Sequence, residues 1–275
     1  RDRSPSRGLG DVYKRQGLSI PNRFINIRKT LIFNYCAFGL KGIFKLPVFI
    51  YDNTNIYAVG TIKINCPWQR GLVTIGKLDY KSQGKTKFRN TGIIEVDGPV
   101  EIGGCSIIEN YGTIKFGAYI RVADGSTFLI RQGLVIGGQT RIGFHCFIMD
   151  SDDHYTIDVK SKKVFQINKE ITIGKFNWIA SKTFIKKGTK TPDYIIVASA
   201  NALLTKDYSD IPPYSILGGS PVKLLKVGTR RIYNKESEKL IYRFFSDNPS
   251  LNCFTPTLYS DKELDEFCTQ TGLEF

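Results

Sequence analysis

A large aliphatic residue recurs every six positions through much of this chain of 275 residues. An amphipathic helix repeats near every 3.6 residues and a strand alternates every two, so neither explains a period of six. Short strands separated by corners explain this period, when the side chain at the same position of each strand faces inward. The spacing therefore predicts a parallel β-helix, whose stacked turns (coils) share one core. The repeating positions are Val96, Ile102, Ile108, Ile114, Ile120, Ile130, Ile136, Ile142, Ile148, Ile167, Ile173, Ile179, Ile185, Val197 and Leu203.

Glycine often follows the repeating residue, at Gly103, Gly137, Gly143 and Gly174. We expect these glycines to lie at corners that need an open backbone conformation. A β-sandwich, the alternative, would show alternation with turn signals every 8 to 12 residues. Large aliphatic, glycine and then a small residue on this period resembles the bacterial hexapeptide-repeat acyltransferases. The resemblance implies left-handed coils, a property that spacing alone does not show.

The solenoid is expected over residues 52–228, with its most regular part from Gly92 to about Leu204. Residues 1–16 are polar and basic and match nothing downstream, so we interpret them as a non-native or disordered leader. Residues 17–51 are expected to form an N-terminal cap. The stretch 29–51 is apolar and aromatic and Pro47 ends any helix, which predicts a short helix followed by a strand that enters the first coil.

The six-residue period vanishes after Gly228, and residues 229–275 predict a helical tail. Helices are expected at 233–246 and 260–270, the second with Ser260 or Asp261 as its N-cap. We expect this tail to cover the open end of the solenoid, where the last coil would otherwise expose unpaired strand edges.

The apolar segment before Pro47 is interrupted by Lys41 and Lys45, so it is too broken for a transmembrane span. With no cleavable signal peptide in view, we expect a cytoplasmic protein, and interfacial membrane contact stays open for this segment. The formal net charge of +14 suits CoA phosphates or an acidic glycan. It does not predict a nucleic-acid partner, because no recognition module accompanies it.

The register fails between Ile148 and Ile167, and a polar stretch fills the gap. A loop that leaves a rigid scaffold is a common place for chemistry. The stretch IGFHCFIMDSDDHYTI is similar to a segment of sugar and polysaccharide O-acetyltransferases that ends in an Asp-x-Asp-x-His-like motif. The resemblance implies that His154 is the general base and that Asp150 or Asp152 orients it.

A neutral imidazole, with a pKa of about 6.5, is suited to take the proton of a sugar hydroxyl during attack. A solvated loop histidine is the alternative for His154. The other histidine of the chain, His145, lies inside a coil, where we expect an exposed or packed side chain.

Residues 176–226 resemble the terminal coils of the same enzymes, on Trp178-Ile179-Ala180, Thr205-Lys206-Asp207 and the run from Ile211-Pro212-Pro213 to Lys223. The resemblance implies a homotrimer with an acyl-CoA groove between neighbouring subunits. In this groove small residues hold the pantetheine arm, and lysines meet the phosphates. Trp178 either touches the co-substrate or packs between coils. The residues expected to line the groove are Trp178, Ala180, Ala198, Ala200, Thr205, Lys206 and Lys223.

The resemblance thus implies an acetyl-CoA-dependent O-acetyltransferase acting on a sugar or a cell-surface polysaccharide precursor. No cysteine lies in 150–154, which favours direct transfer without an acyl-enzyme. N-acetylation of an amino sugar and a non-catalytic binding or scaffold β-helix remain alternatives. A zinc-dependent carbonic anhydrase is disfavoured, because catalytic zinc takes three protein ligands, often histidines, and the chain has two. We therefore expect no metal.

Overall fold

The computed structural model describes residues 24–78, 84–198 and 201–269. The leader expected at 1–16 lies outside these ranges, and so does Ala200. The strands form three sheets that are parallel except at the last strand, and consecutive strands before that one belong to different sheets. The first five coils pass from a nine-stranded sheet to a seven-stranded sheet and then to a five-stranded sheet, and the later coils alternate between the first two sheets. This topology is the predicted parallel β-helix.

The nine-stranded sheet contains β1 (Val48–Ile50), β4 (Val73–Lys77), β7 (Val100–Gly103), β10 (Ile120–Val122), β13 (Arg141–Ile142), β16 (Trp178–Ile179), β18 (Ile196–Ala198), β20 (Ile216–Gly218) and β21 (Lys223–Lys226). The seven-stranded sheet contains β2 (Thr54–Ala58), β5 (Thr86–Asn90), β8 (Ile107–Asn110), β11 (Thr127–Ile130), β14 (Phe147–Met149), β17 (Phe184–Lys186) and β19 (Leu203–Leu204). The five-stranded sheet contains β3 (Thr61–Ile64), β6 (Ile93–Val96), β9 (Thr113–Phe116), β12 (Gly133–Ile136) and β15 (Ile171–Ile173).

The core is a set of apolar columns, mostly aliphatic, that run along the axis of the solenoid. In the seven-stranded sheet one column consists of Ile108, Phe128, Ile148, Ile185 and Leu204, which pair in register and are all buried. Burying one such side chain contributes about 1.5–3 kcal/mol. The stack therefore gains most of its stability from contacts between coils that are distant in sequence.

The coils are longer than three six-residue steps. Ile108, Phe128 and Ile148 are register partners twenty residues apart. Two of the positions assigned to the core from the spacing are therefore wrong. Leu203 lies on the outer side of β19 while Leu204 faces inward, and Ile167 lies in the loop rather than in a strand.

The predicted reason for the recurring glycines is also wrong. Gly137 and Gly143 do not have positive φ angles, whereas corner residues such as His145 (56°) and Phe176 (53°) do. A Cβ at Gly137 would lie 2.5 Å from the backbone nitrogen of Lys175, and one at Gly143 would lie 2.6 Å from that of Ser181. These glycines are needed because adjacent coils approach each other closely, and Gly103 and Gly174 are crowded in the same way.

The break in the period is a long insertion after β14. Ile148 pairs with Ile185, thirty-seven residues later, which is seventeen more than in the preceding coils. The extra residues leave the corner between the seven-stranded and five-stranded sheets. Ser151 bridges to Asn168 at the base of this loop, and Ile157 bridges to Val164 near its tip.

Helix α1 (Ile27–Lys45) packs along β1 at the N-terminal end of the solenoid. The side chain of Asn26 caps it, and Leu46 ends it in the left-handed conformation directly before the expected breaker Pro47. Phe33 is fully buried on its inner face, where its ring meets that of Phe88 at 5.5 Å. Within the described ranges, no helix is long and apolar enough to cross a membrane.

The C-terminal tail forms helices α2 (Lys235–Asp247) and α3 (Asp261–Cys268), close to the predicted ranges, and Ser260 is the N-cap of α3. Its expected position over the open end is wrong. The edge of β20 pairs instead with β21 in antiparallel orientation. Helix α2 lies along the outer face of the nine-stranded sheet, where Ile241 and Phe245 border the same groove as Trp178.

Candidate active site

The loop begins at Asp150, whose side chain is fully buried. Its carboxylate accepts three hydrogen bonds of 2.7 Å, from the backbone N–H groups of Arg131, Gln132 and Gly133 in the preceding coil. The residue thus ties the base of the loop to the solenoid. Both carboxylate oxygens are engaged by backbone donors, and neither bonds to His154.

The second aspartate of the motif, Asp152, is held by lysines of the next coil. Its carboxylate pairs with Lys187 and, at 3.5 Å, with Lys186. The hydrogen bond from Lys187 lowers the pKa of Asp152 below its usual value. Asp153 pairs with Arg131 at 3.3 Å. Both exposed carboxylates of the motif are therefore fixed to neighbouring coils.

The third feature of the motif, His154, is exposed at the edge of the loop. Among the described residues, no hydrogen bond or ion pair occupies its imidazole. The ring is thus free to accept a proton from a ligand. His145 is also exposed, but it sits at a corner and packs over Gly125, away from the loop.

Basic side chains continue along the same corner of the solenoid. Lys187 directly follows β17, and Thr205 and Lys206 directly follow β19. Both strands belong to the seven-stranded sheet, from which the loop also departs. Thr205 and Lys206 are exposed, and the ammonium of Lys206 lies 5.6 Å from the ring of Tyr208. We refer to His154, Lys186, Lys187 and Lys206 as the basic corner.

A groove of about 780 Å³ lies on a different side of the chain, between the nine-stranded sheet and helix α2. Trp178 and Ala198 line it, so the structure brings these two predicted residues together. The indole of Trp178 points outward and is 39% exposed. Ala180 is half-buried at the following corner, where its carbonyl accepts a hydrogen bond of 2.7 Å from Thr183. Lys223 is exposed on β21.

The predicted site residues therefore occupy two surfaces. The loop leaves the corner between the seven-stranded and five-stranded sheets, which is opposite the nine-stranded sheet in a three-sided coil. His154 and Lys206 belong to that corner, whereas Trp178 and Ala198 belong to the opposite face. One chain alone does not bring all of them together.

Three arginines beside Trp178 were not predicted from the sequence. Arg121, Arg141 and Arg231 line a cavity of about 390 Å³ that also includes the indole. Arg121 and Arg141 are register partners on adjacent strands, a pairing that their twenty-residue spacing would have predicted had the coil length been known. Nothing in the repeat pattern points to Arg231, because it lies in the tail.

The described residues contain no group of three or more His, Cys, Asp or Glu side chains able to hold a metal ion. The buried thiol of Cys146 is also poorly suited to nucleophilic attack. Desolvation raises its pKa to about 11, and its sulfur contacts the carbonyl of Ala180 at 3.2 Å.

No protein-family model matches the chain. A chloramphenicol acetyltransferase of Morganella morganii is 28% identical over 110 residues, which are 40% of this chain and 49% of that protein. The chain thus spans about half the length of this curated relative.

Among solved structures, the polySia-specific acetyltransferase NeuO matches with a TM-score of 0.50 at 19% identity, over 75% of this chain and 84% of that one. AntD, an N-acyltransferase from Bacillus cereus in complex with dTDP and 3-hydroxybutyryl-CoA, has a TM-score of 0.44 at 15% identity, over 83% and 100% of the two chains. The likeness to NeuO concerns the fold. The chain is a left-handed parallel β-helix of the type found in hexapeptide-repeat acetyltransferases, as predicted from its sequence.

Proposed function

We propose that the protein is an acyl-CoA-dependent acyltransferase that moves an acetyl group from acetyl-CoA to a hydroxyl of a sugar or of a cell-surface polysaccharide precursor. The observation that carries this proposal is the exposed, unengaged imidazole of His154 on a loop anchored to an acetyltransferase-type β-helix. The motif around the loop supports a sugar acceptor through its resemblance to sugar O-acetyltransferases. The matched relatives named as acetyltransferases support the class of reaction.

In the proposed mechanism, His154 takes the proton of the acceptor hydroxyl as its oxygen attacks the thioester carbonyl. The resulting tetrahedral intermediate expels CoA as a thiolate, which receives the proton from the imidazolium. The C–O bond of the ester forms and the C–S bond of the thioester breaks, with no covalent enzyme intermediate. Holding both substrates beside His154 makes the encounter nearly intramolecular, which lowers the barrier.

Asp150 and Asp152 have different roles in this proposal. Asp150 positions the loop through its three bonds to the preceding coil. Asp152, two residues before His154, is held by Lys187 and Lys186 and so fixes the segment that carries the imidazole. Direct orientation of the ring by either carboxylate, as expected from the motif, stays a prediction.

We further propose that the site is completed between subunits of a homotrimer. The groove with Trp178 and Ala198 and the corner with His154 and Lys206 lie on opposite sides of one chain. In a ring of three copies, the nine-stranded face of one subunit meets the loop corner of its neighbour, and acetyl-CoA lies between them. Sedimentation should then give the mass of three 31.0-kDa chains. A monomer at assay concentration would contradict this arrangement.

The activity is tested by following thiol release from acetyl-CoA with a panel of neutral, acidic and amino sugars. Hydroxylamine cleaves an ester product but leaves an amide intact, so it separates O-acetylation from N-acetylation. Acceptor-dependent thiol release with a hydroxylamine-sensitive product is the expected result. CoA binding without transfer to any acceptor would favour a binding or scaffold protein instead.

A further inference from the structure

The arginine cluster beside Trp178 carries more positive charge than its surroundings neutralise. Glu101 is the carboxylate that faces it, and this side chain already pairs with Lys77 at 2.7 Å and with Arg121 at 3.0 Å. Within the described ranges, no ion pair joins Arg141 or Arg231 to a carboxylate. Arg141 and Arg231 therefore add two positive charges to a pair of cations, Lys77 and Arg121, that Glu101 already binds.

Arg141 and Arg231 are held in place by neutral groups instead. Arg141 donates a hydrogen bond of 2.6 Å to the carbonyl of Tyr119, and its guanidinium lies 5.8 Å from the ring of Tyr233. Arg231 lies between two aromatic rings, 4.7 Å from Trp178 and 4.9 Å from Tyr233. These contacts fix the direction of the guanidinium groups without neutralising them.

Burial makes the absence of a counterion more costly. Desolvation, with the neighbouring charges of Arg231 and Arg121 as further causes, lowers the pKa of Arg141 to about 10. The group nevertheless remains protonated at neutral pH. A buried or half-buried cation gains much from a bound anion, because little water competes for it.

We propose that Arg121, Arg141 and Arg231 form a binding site for an oxyanion, a carboxylate or a phosphate, carried by a substrate. Guanidinium groups bind both kinds of oxyanion through paired N–H donors. The cavity of about 390 Å³ that they line is large enough for such a group and its neighbouring atoms, and Trp178 supplies an apolar wall.

Two sources of the oxyanion follow from the proposed function. One is the carboxylate of an acidic sugar acceptor, and the other is a phosphate of CoA. The oxyanion site itself rests on the charge and geometry of the cluster and not on His154. Its test is therefore a measurement of anion binding. Anion binding can be absent while acetyl transfer is intact, and transfer can be absent while anion binding is intact.

The indole of Trp178 provides the readout. The other tryptophan, Trp68, lies beside helix α1, so Trp68→Phe leaves Trp178 as the fluorophore of the site. The protein is titrated with glucuronate, with its neutral methyl ester, with CoA and with inorganic pyrophosphate. Arg231→Gln is the test variant. Arg89→Gln is the matched control, because Arg89 is an exposed arginine stacked on Tyr57 of the seven-stranded sheet.

We expect a saturable fluorescence change in the native protein. The affinity obtained from it should be about ten-fold weaker in Arg231→Gln and nearly unchanged in Arg89→Gln. A loss confined to glucuronate, with weak binding of the methyl ester, assigns the site to an acidic acceptor. A loss confined to CoA and pyrophosphate assigns it to the co-substrate. Folding is checked by circular dichroism, and Arg231→Lys, which keeps the charge but loses the paired N–H donors, should bind with an affinity between those of the native protein and Arg231→Gln. Equal affinity in the native protein and a folded Arg231→Gln, or no anion binding at all, would overturn the proposal.

Discussion

Oδ2 of Asp150 accepts a hydrogen bond of 2.7 Å from the backbone nitrogen of Gly133, one coil earlier in the solenoid. Together with the bonds from the two preceding backbone nitrogens, this contact joins the start of the insertion loop to the turn between β11 and β12. The carboxylate is fully buried, so its hydrogen bonds are not exchanged for bonds to water. The loop that carries His154 therefore starts from a fixed point.

Asp150→Asn should destabilise the protein by about 3 kcal/mol, because the buried N–H donors lose a charged acceptor. For a chain of this size that corresponds to a Tm about 5 °C lower. Asp153→Asn is the matched control. The pair of Asp153 with Arg131 is partly exposed and should contribute less than about 1 kcal/mol. Equal melting temperatures for the two variants would show that Asp150 does not anchor the loop.

The register of the late coils is tested by two neighbouring leucines. Leu204 is fully buried and pairs with Ile185, whereas Leu203 faces outward. Leu204→Ala should cost about 2–5 kcal/mol of stability, and Leu203→Ala no more than about 1 kcal/mol. Denaturant unfolding of both variants measures the difference. A larger loss of stability in Leu203→Ala than in Leu204→Ala would show that the strict six-residue register is correct at this coil.

These two leucines also show what the sequence pattern contained. The repeat of aliphatic residues predicted the β-helix because each coil must fill the same core. It did not show that corners add residues and lengthen most coils to about twenty, so it placed Leu203 instead of Leu204 in the core. The loop was found because His154 and its aspartates interrupt the pattern. The engagement of Asp150 by backbone of another coil, and the contact of Arg231 with Trp178, depend on tertiary packing that no local pattern contains.

Cys146 should be unreactive in the folded protein. Its pKa of about 11 leaves little thiolate at pH 8, and its side chain is buried. Iodoacetamide should label the exposed Cys36 and Cys253 at this pH and spare Cys146 until the protein is unfolded. Peptide mass spectrometry measures the labelling. Modification of Cys146 at the rate of Cys36 would contradict its burial and reopen a covalent cysteine route.

The pair of Asp152 and Lys187 predicts a pH dependence at the base of the loop. The lowered pKa of Asp152 in the folded state means that the pair stabilises the protein above the unfolded pKa, near 3.8. This contribution is lost as the pH falls through the lower folded value. At pH 6 the melting temperature of the native protein should therefore be higher than that of Lys187→Gln, and the difference between the two should shrink towards pH 3.

Lys163→Gln, which alters another exposed lysine of the loop, is the control for this measurement. Its melting temperature should follow that of the native protein across the same pH range. A difference between the native protein and Lys187→Gln that stays constant down to pH 3 would show that the titration of Asp152 is not its source.

The most direct test of the proposed mechanism compares His154→Ala with His145→Ala in the thiol-release assay, using an acceptor that the native protein acetylates. Both histidines are exposed, so neither substitution removes a buried contact. Loss of a general base should lower kcat by about 10²–10⁴-fold in His154→Ala while CoA binding is retained, and His145→Ala should keep nearly full activity. Full activity in His154→Ala, or an equal loss in both variants, would contradict the assignment of His154 as the base.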